Sequence, residues 1–560
     1  MAELKHVEDY LYNLGSYSRT ITTTSKQAQA WFDKGLIWCY GFHHEEAVVC
    51  FENAIAHDPE CAMAFWGLAY ALGPNYNKGW GLFEQGEMQT AAERTHEAVE
   101  QAKKKSAGAT EVEKVIINAL QKRYPQGQAP KEQEWPIWNT EYADAMEKVA
   151  SEFPADLDIG ALYADAMMNL TPWELWDIYT GKPTEKARTM EIKRVLDHGI
   201  AQPGGKQHPG LLHLYIHMVE MSRNPEDGMP AANLLRGLVP DSGHLNHMPS
   251  HLDVLTGDYA SGVKANTDAM IADEKFLADK GPLNFYTLYR SHDYHFRLYC
   301  AMFSGQSKIA LETVDKLNAS ITEEALRVQT PPMADWLEAF LAMRVHALIR
   351  FGLWQEIIDI PLAKDQELYC VGTALLHYAK GMAFAALGKV PEAQAERDLF
   401  SVTRKLVKES RTIFNNKCVD ILTVADAMLD GEIAYRSGDF SAAFEHLRES
   451  IRRYDTLPFD EPWGWMQPAR HAYGALLLEQ GHVEEARVVY EQDLGLDEIL
   501  PRIHQHPNNV WALHGYHECL VRLGQQDLAA EIRPKLDAAL AVADVPISSS
   551  CFCRKKCHVA

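Results

Sequence analysis

The sequence predicts an all-α fold in which paired helices stack into a right-handed superhelix, an α-α solenoid with a concave groove. Large, small and helix-stopping residues recur at the spacing of a helix–turn–helix unit of about 34 residues. Alternating β-branched segments, the usual signal of strands, are nearly missing. The chain has 560 residues, 47% of them hydrophobic, and one compact domain rarely grows that long without repeating. We therefore expect units that bury their apolar faces against their neighbours.

The clearest unit runs from Trp31 to Pro59. Within it, Gly35 and Ala47 allow two helices to approach closely, and Phe51 fills the space between them. This spacing resembles the tetratricopeptide repeat, which implies a repeat array whose first helices face the groove. Weaker copies are marked by small residues, by turn glycines and by aromatic residues: Gly381, Gly388, Ala393, Gly431, Gly438, Ala443, Gly474, Gly481, Tyr490, Trp511 and Gly515.

We expect these repeats to form one domain, followed by a flexible tail that carries cysteines and basic residues. The predicted boundaries are 1–545 for a single solenoid, with clear repeats at 28–78, 209–312 and 338–535, diverged or inserted helices at 79–208, and the tail at 546–560.

The charge balance argues against nucleic acid as a partner. The formal net charge is −23, which repels a phosphate backbone. No stretch is long and apolar enough to span a membrane, and the first residues lack an apolar signal core. These features predict a cytoplasmic protein with most of its cysteines reduced.

Histidines between Leu211 and Phe303 fall on a repeating stripe. In three successive units, the positions 2, 5 and 9 of the first helix lie on one helical face, because they are spaced i, i+3, i+7. Seven of these nine positions are histidine, whereas composition alone predicts about 0.4. The seven are His213, His217, His244, His247, His251, His292 and His295.

Imidazoles that converge from neighbouring helices would form a transition-metal site. A single histidine on a packed helix is more often a core residue whose N–H is satisfied by a carbonyl group, but the set as a whole favours a metal. An all-nitrogen ligand set suits copper first, with zinc or iron as alternatives. His244 is the weakest member, because Pro249 predicts a helix that begins near Met248 and leaves His244 on the approach turn.

No catalytic residue is identified by a motif. Candidates beside the histidines are two acids, which could orient a ligand, and two phenols, which could donate a proton: Glu220, Asp293, Tyr215 and Tyr299. Each could equally be an ordinary solvated acid or a packed aromatic residue.

The segment from His213 to Tyr259 also resembles a family of long bacterial and fungal tetratricopeptide-like proteins. Its members share a histidine-bearing helix, here Leu212 to Glu220, followed by a His-Met-Pro-Ser-His motif, here His247 to His251. The resemblance supports the fold and the motif. It implies no substrate, because we know of no reaction common to the family.

The end of the chain reads Ser-Ser-Ser-Cys-Phe-Cys-Arg-Lys-Lys-Cys-His-Val-Ala. Cys557, four residues from the end, matches a prenylation signal, and Cys551 and Cys553 would be available for palmitoylation. Two lipids would hold the protein at a membrane surface. The alternatives are an unmodified disordered end and a thiolate tail that delivers metal.

Two functions are consistent with these features. The first is a metal-dependent enzyme that binds a small-molecule substrate in the groove, oxidising or oxygenating it if the metal is copper, or acting as a hydrolase or lyase if it is zinc. The alternative is a non-catalytic scaffold that binds a peptide or protein partner.

Overall fold

The computed structural model describes residues 5–554. The chain divides into two compact units: unit 1 consists of Met1–Leu252 and Ile271–Ala278, and unit 2 of Asp253–Met270 and Asp279–Ala560. The single solenoid over residues 1–545 that the sequence predicts stays a prediction.

Unit 1 is helical, with one small antiparallel ladder. Its elements are α1 (Lys26–Tyr40), α2 (His44–His57), α3 (Ala62–Leu72), α4 (Gln85–Lys105), α5 (Glu111–Arg123), α6 (Trp135–Glu152), α7 (Leu157–Met168), β1 (Trp176–Asp177), β2 (Lys182–Pro183), α8 (Thr189–Ala201), α9 (Pro209–Val219), α10 (Met229–Leu235) and α11 (Gly243–His247). Two further helices, α12 (Pro249–Thr256) and α13 (Tyr259–Lys280), contribute residues to both units.

Unit 2 is also helical, with a second ladder of the same size. Its elements are α14 (Thr287–Phe303), α15 (Ser307–Ser320), α16 (Glu323–Leu326), α17 (Met333–Leu341), α18 (Met343–Arg350), α19 (Trp354–Asp359), α20 (Cys370–Ala386), α21 (Val390–Thr403), β3 (Thr412–Ile413), β4 (Asn416–Lys417), α22 (Cys418–Arg436), α23 (Phe440–Asp455), α24 (Ala469–Glu479), α25 (Val483–Leu494), α26 (Val510–Arg522) and α27 (Gln526–Val542).

The helices pack in pairs, with glycines where large side chains cross. In unit 1 the ring of Phe51 on α2 lies against Gly35 on α1 and Gly67 on α3, and a Cβ atom at Gly67 would come within 2.3 Å of that ring. In unit 2 the ring of Tyr490 lies in the same way between Gly474 and Gly515. This combination of small and large residues confirms the all-α, tetratricopeptide-like architecture.

The turn inside a helix pair uses glycine in the left-handed region. In unit 2 each of three turns contains one such glycine. Gly388 lies between α20 and α21, Gly438 between α22 and α23, and Gly481 between α24 and α25, with φ of 78°, 85° and 83°. Glycine adopts this conformation without a Cβ clash. The corresponding turn of the first pair in unit 1 contains Phe42, with φ of 54°, so a bulky side chain is held there in a strained conformation.

The end of the chain corrects the prediction of a flexible tail. Ser550, Cys551 and Cys553 are buried in unit 2, and the two cysteines are joined by a disulfide. They are therefore not the exposed thiols that the palmitoylation hypothesis assumed. The composition suggested disorder, but tertiary partners in unit 2 order this segment. Cys557, the predicted prenylation site, lies outside the described residues.

Candidate metal centre

Helix α9 supplies the first two histidines. His208 caps its N-terminus by accepting a hydrogen bond from the backbone N–H of Leu211 at 3.1 Å, and Pro209 occupies the first helical position, where its missing N–H costs nothing. His213 and His217 then follow at a spacing of four residues and lie on the same helical face. Every residue of α9 is buried, so both imidazoles are in the core.

The other three predicted metal ligands of unit 1 are His247 and His251, from the His-Met-Pro-Ser-His motif, and His244, which precedes it. We expected one helix from Met248, with His244 and His247 on the preceding turn. The structure instead has two helices: α11, which contains His244 and His247, and α12, which contains His251. Pro249 separates them because it lacks an N–H to continue the ladder. All three side chains are buried.

The Glu220 carboxylate orients two of these rings. One of its oxygens accepts a hydrogen bond from Nδ1 of His217 at 2.8 Å, and the other accepts one from Nδ1 of His251 at 2.7 Å. The carboxylate is fully buried. Since a carboxylate only accepts, each ring carries its proton on Nδ1 and has a lone pair on Nε2. Glu220 is thus a positioning residue, as the sequence allowed.

A backbone carbonyl orients the third ring. Nδ1 of His213 lies 2.6 Å from the carbonyl oxygen of Tyr40, at the end of α1. The carbonyl accepts, so this ring also has its lone pair on Nε2. Among the residues that the structure describes, neither Nε2 of His213 nor Nε2 of His217 has a hydrogen-bond partner. A buried nitrogen without a partner costs about 1–3 kcal/mol, which a bound ion would recover.

The rings converge on a common space. His213, His217 and His244 each offer a nitrogen that lies within 4.8 Å of the other two. The ring centroids of His213 are 4.9 Å from those of both His217 and His244. Three ring nitrogens this close together could hold one metal ion.

Beside this trio, His247 and His251 form a close pair, with their Nε2 atoms 2.7 Å apart. Because Nδ1–H of His251 is donated to Glu220, its Nε2 accepts. His247 then donates its Nε2 proton, and its Nδ1 faces the hydroxyl of Ser250 at 3.4 Å. A cation bound here would replace the shared proton.

Burial keeps the imidazoles of His213 and His217 neutral. It lowers the pKa of His213 to about 3, with a smaller effect from His251. It also lowers the pKa of His217 well below the usual range, and the neighbouring imidazoles add to this effect. A neutral ring is the form that binds a metal.

Aromatic residues enclose the trio, and two of them are conformationally strained. Phe42 stacks on His217 and His244, with centroids 5.8 Å away in both cases. Trp173, with φ of 62°, contacts His217 edge-on at 6.1 Å and stacks on Tyr76. Strained residues of this kind cluster at functional sites. Sequence reasoning missed both, although Phe42 occupies a turn where other repeats have glycine.

The remaining predicted residues are Tyr215 of unit 1 and four residues of unit 2. The hydroxyl of Tyr215 is bonded to Lys193 of α8 at 3.2 Å, not to a histidine. His292, Asp293, His295 and Tyr299 lie on α14 in unit 2. There His292 contacts Phe414, another residue with positive φ, and the ring of Tyr299 packs on Phe303. It stays a prediction that His292 and His295 of α14 complete the candidate metal centre of unit 1.

Unit 2 contains a second pair of buried imidazoles, in His295 and His346. Neither ring has a hydrogen-bond partner among the residues described. Burial lowers the pKa of each to about 3. Their rings contact aromatic side chains, Phe340 and Trp465.

No protein-family model matches the chain, and no curated protein is significantly similar to it. Three solved structures resemble it weakly. The APC/C hetero-tetramer Cut9-Hcn1 has 10% identity over 88% of this chain and 76% of that one, with a TM-score of 0.30. Naa15/Naa10 bound to HypK-THB has 11% identity over 92% and 70%, with a TM-score of 0.22, and yeast Tom70 has 12% identity over 92% of both chains, with a TM-score of 0.25. At these scores the likeness supports no conclusion about function.

Within residues 5–554, no helix combines the length and apolar character needed to cross a bilayer.

Proposed function

We propose that this protein binds a transition-metal ion in unit 1, on Nε2 of His213, Nε2 of His217 and one ring nitrogen of His244. The observation that carries the proposal is the orientation of the first two rings. Each donates its Nδ1 proton to a fixed acceptor and leaves a buried Nε2 without a partner, and the two ring centroids lie 4.9 Å apart. Metal-binding histidines are usually held in this way by a carboxylate or carbonyl group.

Copper is the first choice of metal, with zinc and iron as alternatives. The ligands of the trio are all imidazoles, and the Glu220 carboxylate is bonded to one of them, His217, and to His251 beside the trio. Nitrogen ligands bind copper(II) more tightly than they bind the other divalent metals of the first transition row. A set of three histidines also suits zinc. The pair of His247 and His251 could take a second ion in place of its shared proton.

Elemental analysis tests the proposal. Protein purified without an affinity tag should contain about one transition-metal ion per chain, and the double variant His213→Ala, His217→Ala should lose it. His198→Ala is the matched control, because His198 is an exposed histidine of the same unit. Less than about a tenth of an ion per chain after supplying each metal, or full retention in the double variant, would exclude this site.

An enzymatic role would follow from the aromatic surroundings of the ion. Phe42, Tyr76 and Trp173 contact the ring of His217 and could bind a small organic substrate beside it. With copper the expected reaction is oxidation or oxygenation, and with zinc it is hydrolysis or lyase chemistry by an activated water. Oxygen uptake by the copper-loaded protein with a panel of small organic substrates tests the first reaction. The His213→Ala, His217→Ala variant should show none.

A non-catalytic scaffold is the second candidate, and the burial of the ligands favours it. The side chains of His213, His217 and His244 are at most 1% exposed, whereas a catalytic ion needs an open position that substrate can reach. The ion would then stabilise the helices, and repeat surfaces would bind a peptide. A stoichiometric partner that stays bound when a chelator removes the ion would support this role over catalysis.

A further inference from the structure

The C-terminal segment, Ser550–Arg554, lies on a surface built by several helices of unit 2. We call this the receiving surface. Its polar and aromatic contacts come from α18, α22, α24, α25 and α26: Arg350, Arg436, His471, Tyr490, Trp511 and Glu518. Three of these helices, α22, α24 and α26, are the first members of helix pairs.

The first residue of the segment is held by its hydroxyl and its carbonyl group. The Ser550 hydroxyl donates to the backbone oxygen of His471 at 2.7 Å, and it accepts from the Tyr490 hydroxyl at 2.5 Å. Arg350 donates to the Ser550 carbonyl oxygen at 3.0 Å. All four groups are buried, so a residue without a hydroxyl would leave polar atoms unsatisfied here.

The receiving surface is ordered by a buried network beneath it. Arg350 donates to Nδ1 of His471 at 3.0 Å and lies over the ring of Trp511, 4.3 Å from its centroid. His471 in turn donates from Nε2 to Asp493 at 2.9 Å, and Asp493 also accepts from His506 at 2.9 Å. These bonds hold the pKa of Asp493 well below its usual range, since the two histidines stabilise the charged carboxylate.

The rest of the segment is held by one aromatic contact and one ion pair. Phe552 packs edge-on against Trp511, with centroids 5.9 Å apart, and it lies so close to Gly352 that a Cβ atom there would come within 2.8 Å of it. Arg436 donates to the carbonyl oxygen of Cys553. Arg554 then makes two hydrogen bonds to the Glu518 carboxylate, at 2.7 and 2.8 Å.

Polar and aromatic side-chain contacts to the receiving surface therefore come from Ser550, Phe552 and Arg554. Residues 551–554 form a turn, in which the Arg554 N–H donates to the Cys551 carbonyl oxygen at 3.2 Å and a disulfide joins the two cysteines. Two arginines bind backbone carbonyl groups, and such contacts do not depend on the peptide sequence. In peptide recognition, hydrogen bonds to main-chain groups give affinity and contacts to particular side chains give specificity.

We propose that the receiving surface is a peptide-binding site, occupied in cis by the chain's own C-terminal segment. Its partner in trans is a peptide of another protein that forms the same disulfide-closed turn, with the pattern hydroxyl residue, cysteine, aromatic residue, cysteine, arginine. Because the segment is tethered, its effective concentration is in the millimolar range, so it excludes weaker competitors. This inference does not depend on the metal centre.

The test uses a fluorescent peptide with the sequence of residues 546–554, its two cysteines joined as in the structure, and the full chain with Arg554→Glu. The substitution places two acids together, so it should release the segment, and the peptide should bind this variant at least about tenfold more tightly than the native chain. Arg533→Glu, which removes an exposed ion pair with Asp537 on α27, is the matched control and should leave binding at the native level.

A second variant identifies the surface. In the chain with Glu518→Arg, the native peptide should not bind, whereas a peptide with glutamate in place of its arginine should. In the native chain, excess peptide should increase hydrogen exchange at residues 550–554, a readout that needs no variant. The proposal is overturned if folded Arg554→Glu protein does not bind the peptide at about 100 µM, if the native chain binds it equally well, or if exchange at residues 550–554 does not change.

Discussion

Replacing Glu220 by glutamine changes the orientation of two predicted ligands with little change in volume. The carboxylate accepts Nδ1–H from His217 and from His251, and glutamine has only one oxygen to offer. Its NH2 group must face one of the two rings, and that ring can avoid the clash only by moving its proton to Nε2. With the NH2 group toward His217, that imidazole loses the Nε2 lone pair with which it would bind the ion. With the group toward His251, the proton moves onto the Nε2 that accepts from His247, and the bond between these two rings is lost.

The expected effect is a loss of metal affinity. Removing a group that orients a ligand typically weakens binding ten- to a hundredfold, which corresponds to about 1.4–2.7 kcal/mol. The two bonds have lengths of 2.8 and 2.7 Å and join a fully buried charge, so we expect the upper half of that range. The assay is a competition titration of untagged apo-protein against a chromophoric chelator of known affinity.

Asp165→Asn is the matched control, because Asp165 is also a buried carboxyl of unit 1 but is bonded to Tyr70 and Asn169, not to histidine. It should leave the metal affinity within about twofold of native. If Glu220→Gln binds the ion as tightly as this control, with both proteins folded by circular dichroism, Glu220 does not orient ligands and the argument for the site is wrong.

Three further predictions address packing, pH and metal removal. Gly67→Ala should lower the free energy of unfolding, measured in urea, by about 1–3 kcal/mol, because its Cβ atom would lie 2.3 Å from the Phe51 ring. The control Gly108→Ala places its Cβ atom in open space and should change this free energy by less than about 0.5 kcal/mol. Equal effects of the two substitutions would contradict the packing of Gly67 against Phe51. Burial lowers the pKa of His346 to about 3, so the folded state binds fewer protons than the unfolded state below about pH 6.5, and native stability should fall as the pH decreases toward 4. His346→Leu should reduce the stability difference between pH 7 and pH 4 by about 3 kcal/mol, and an unchanged difference would show that this ring is not buried in its neutral form. Chelation of a protein kept at a free metal concentration of about 100 Kd should lower its stability by about 2.7 kcal/mol, seen as a lower Tm, and an unaffected Tm would argue against a bound ion.

The pairing of helices follows from local features of the sequence. Gly35, Phe51, Gly474, Tyr490 and the turn glycines were identified from spacing alone, because a helix has a fixed period and its nearest partner is the next helix along the chain. The stripe of histidines followed from the same period. Within unit 1 the rings of His213, His217 and His244 do converge as that stripe predicted.

The helix break at the motif was only half predicted. Pro249 was recognised as a helix start, but Gly243–His247, five residues that end just before Met248, form a helix of their own. A turn and a short helix have similar sequence signals, and tertiary packing selects between them. His244, judged the weakest member of the set, lies with His213 and His217 as a result.

By itself, the sequence determined that residues such as His213 and His217 share a helical face, and hence that imidazoles would gather in the core. Only the tertiary structure decided which nitrogen of each ring faces that space. The carbonyl oxygen that orients His213 belongs to Tyr40, 173 residues away along the chain. No local sequence pattern indicated the strained turn at Phe42 or the packing of Ser550 on His471. Helical periodicity is a property of neighbouring residues, whereas a proton is placed by whichever acceptor the folded chain brings within hydrogen-bond distance.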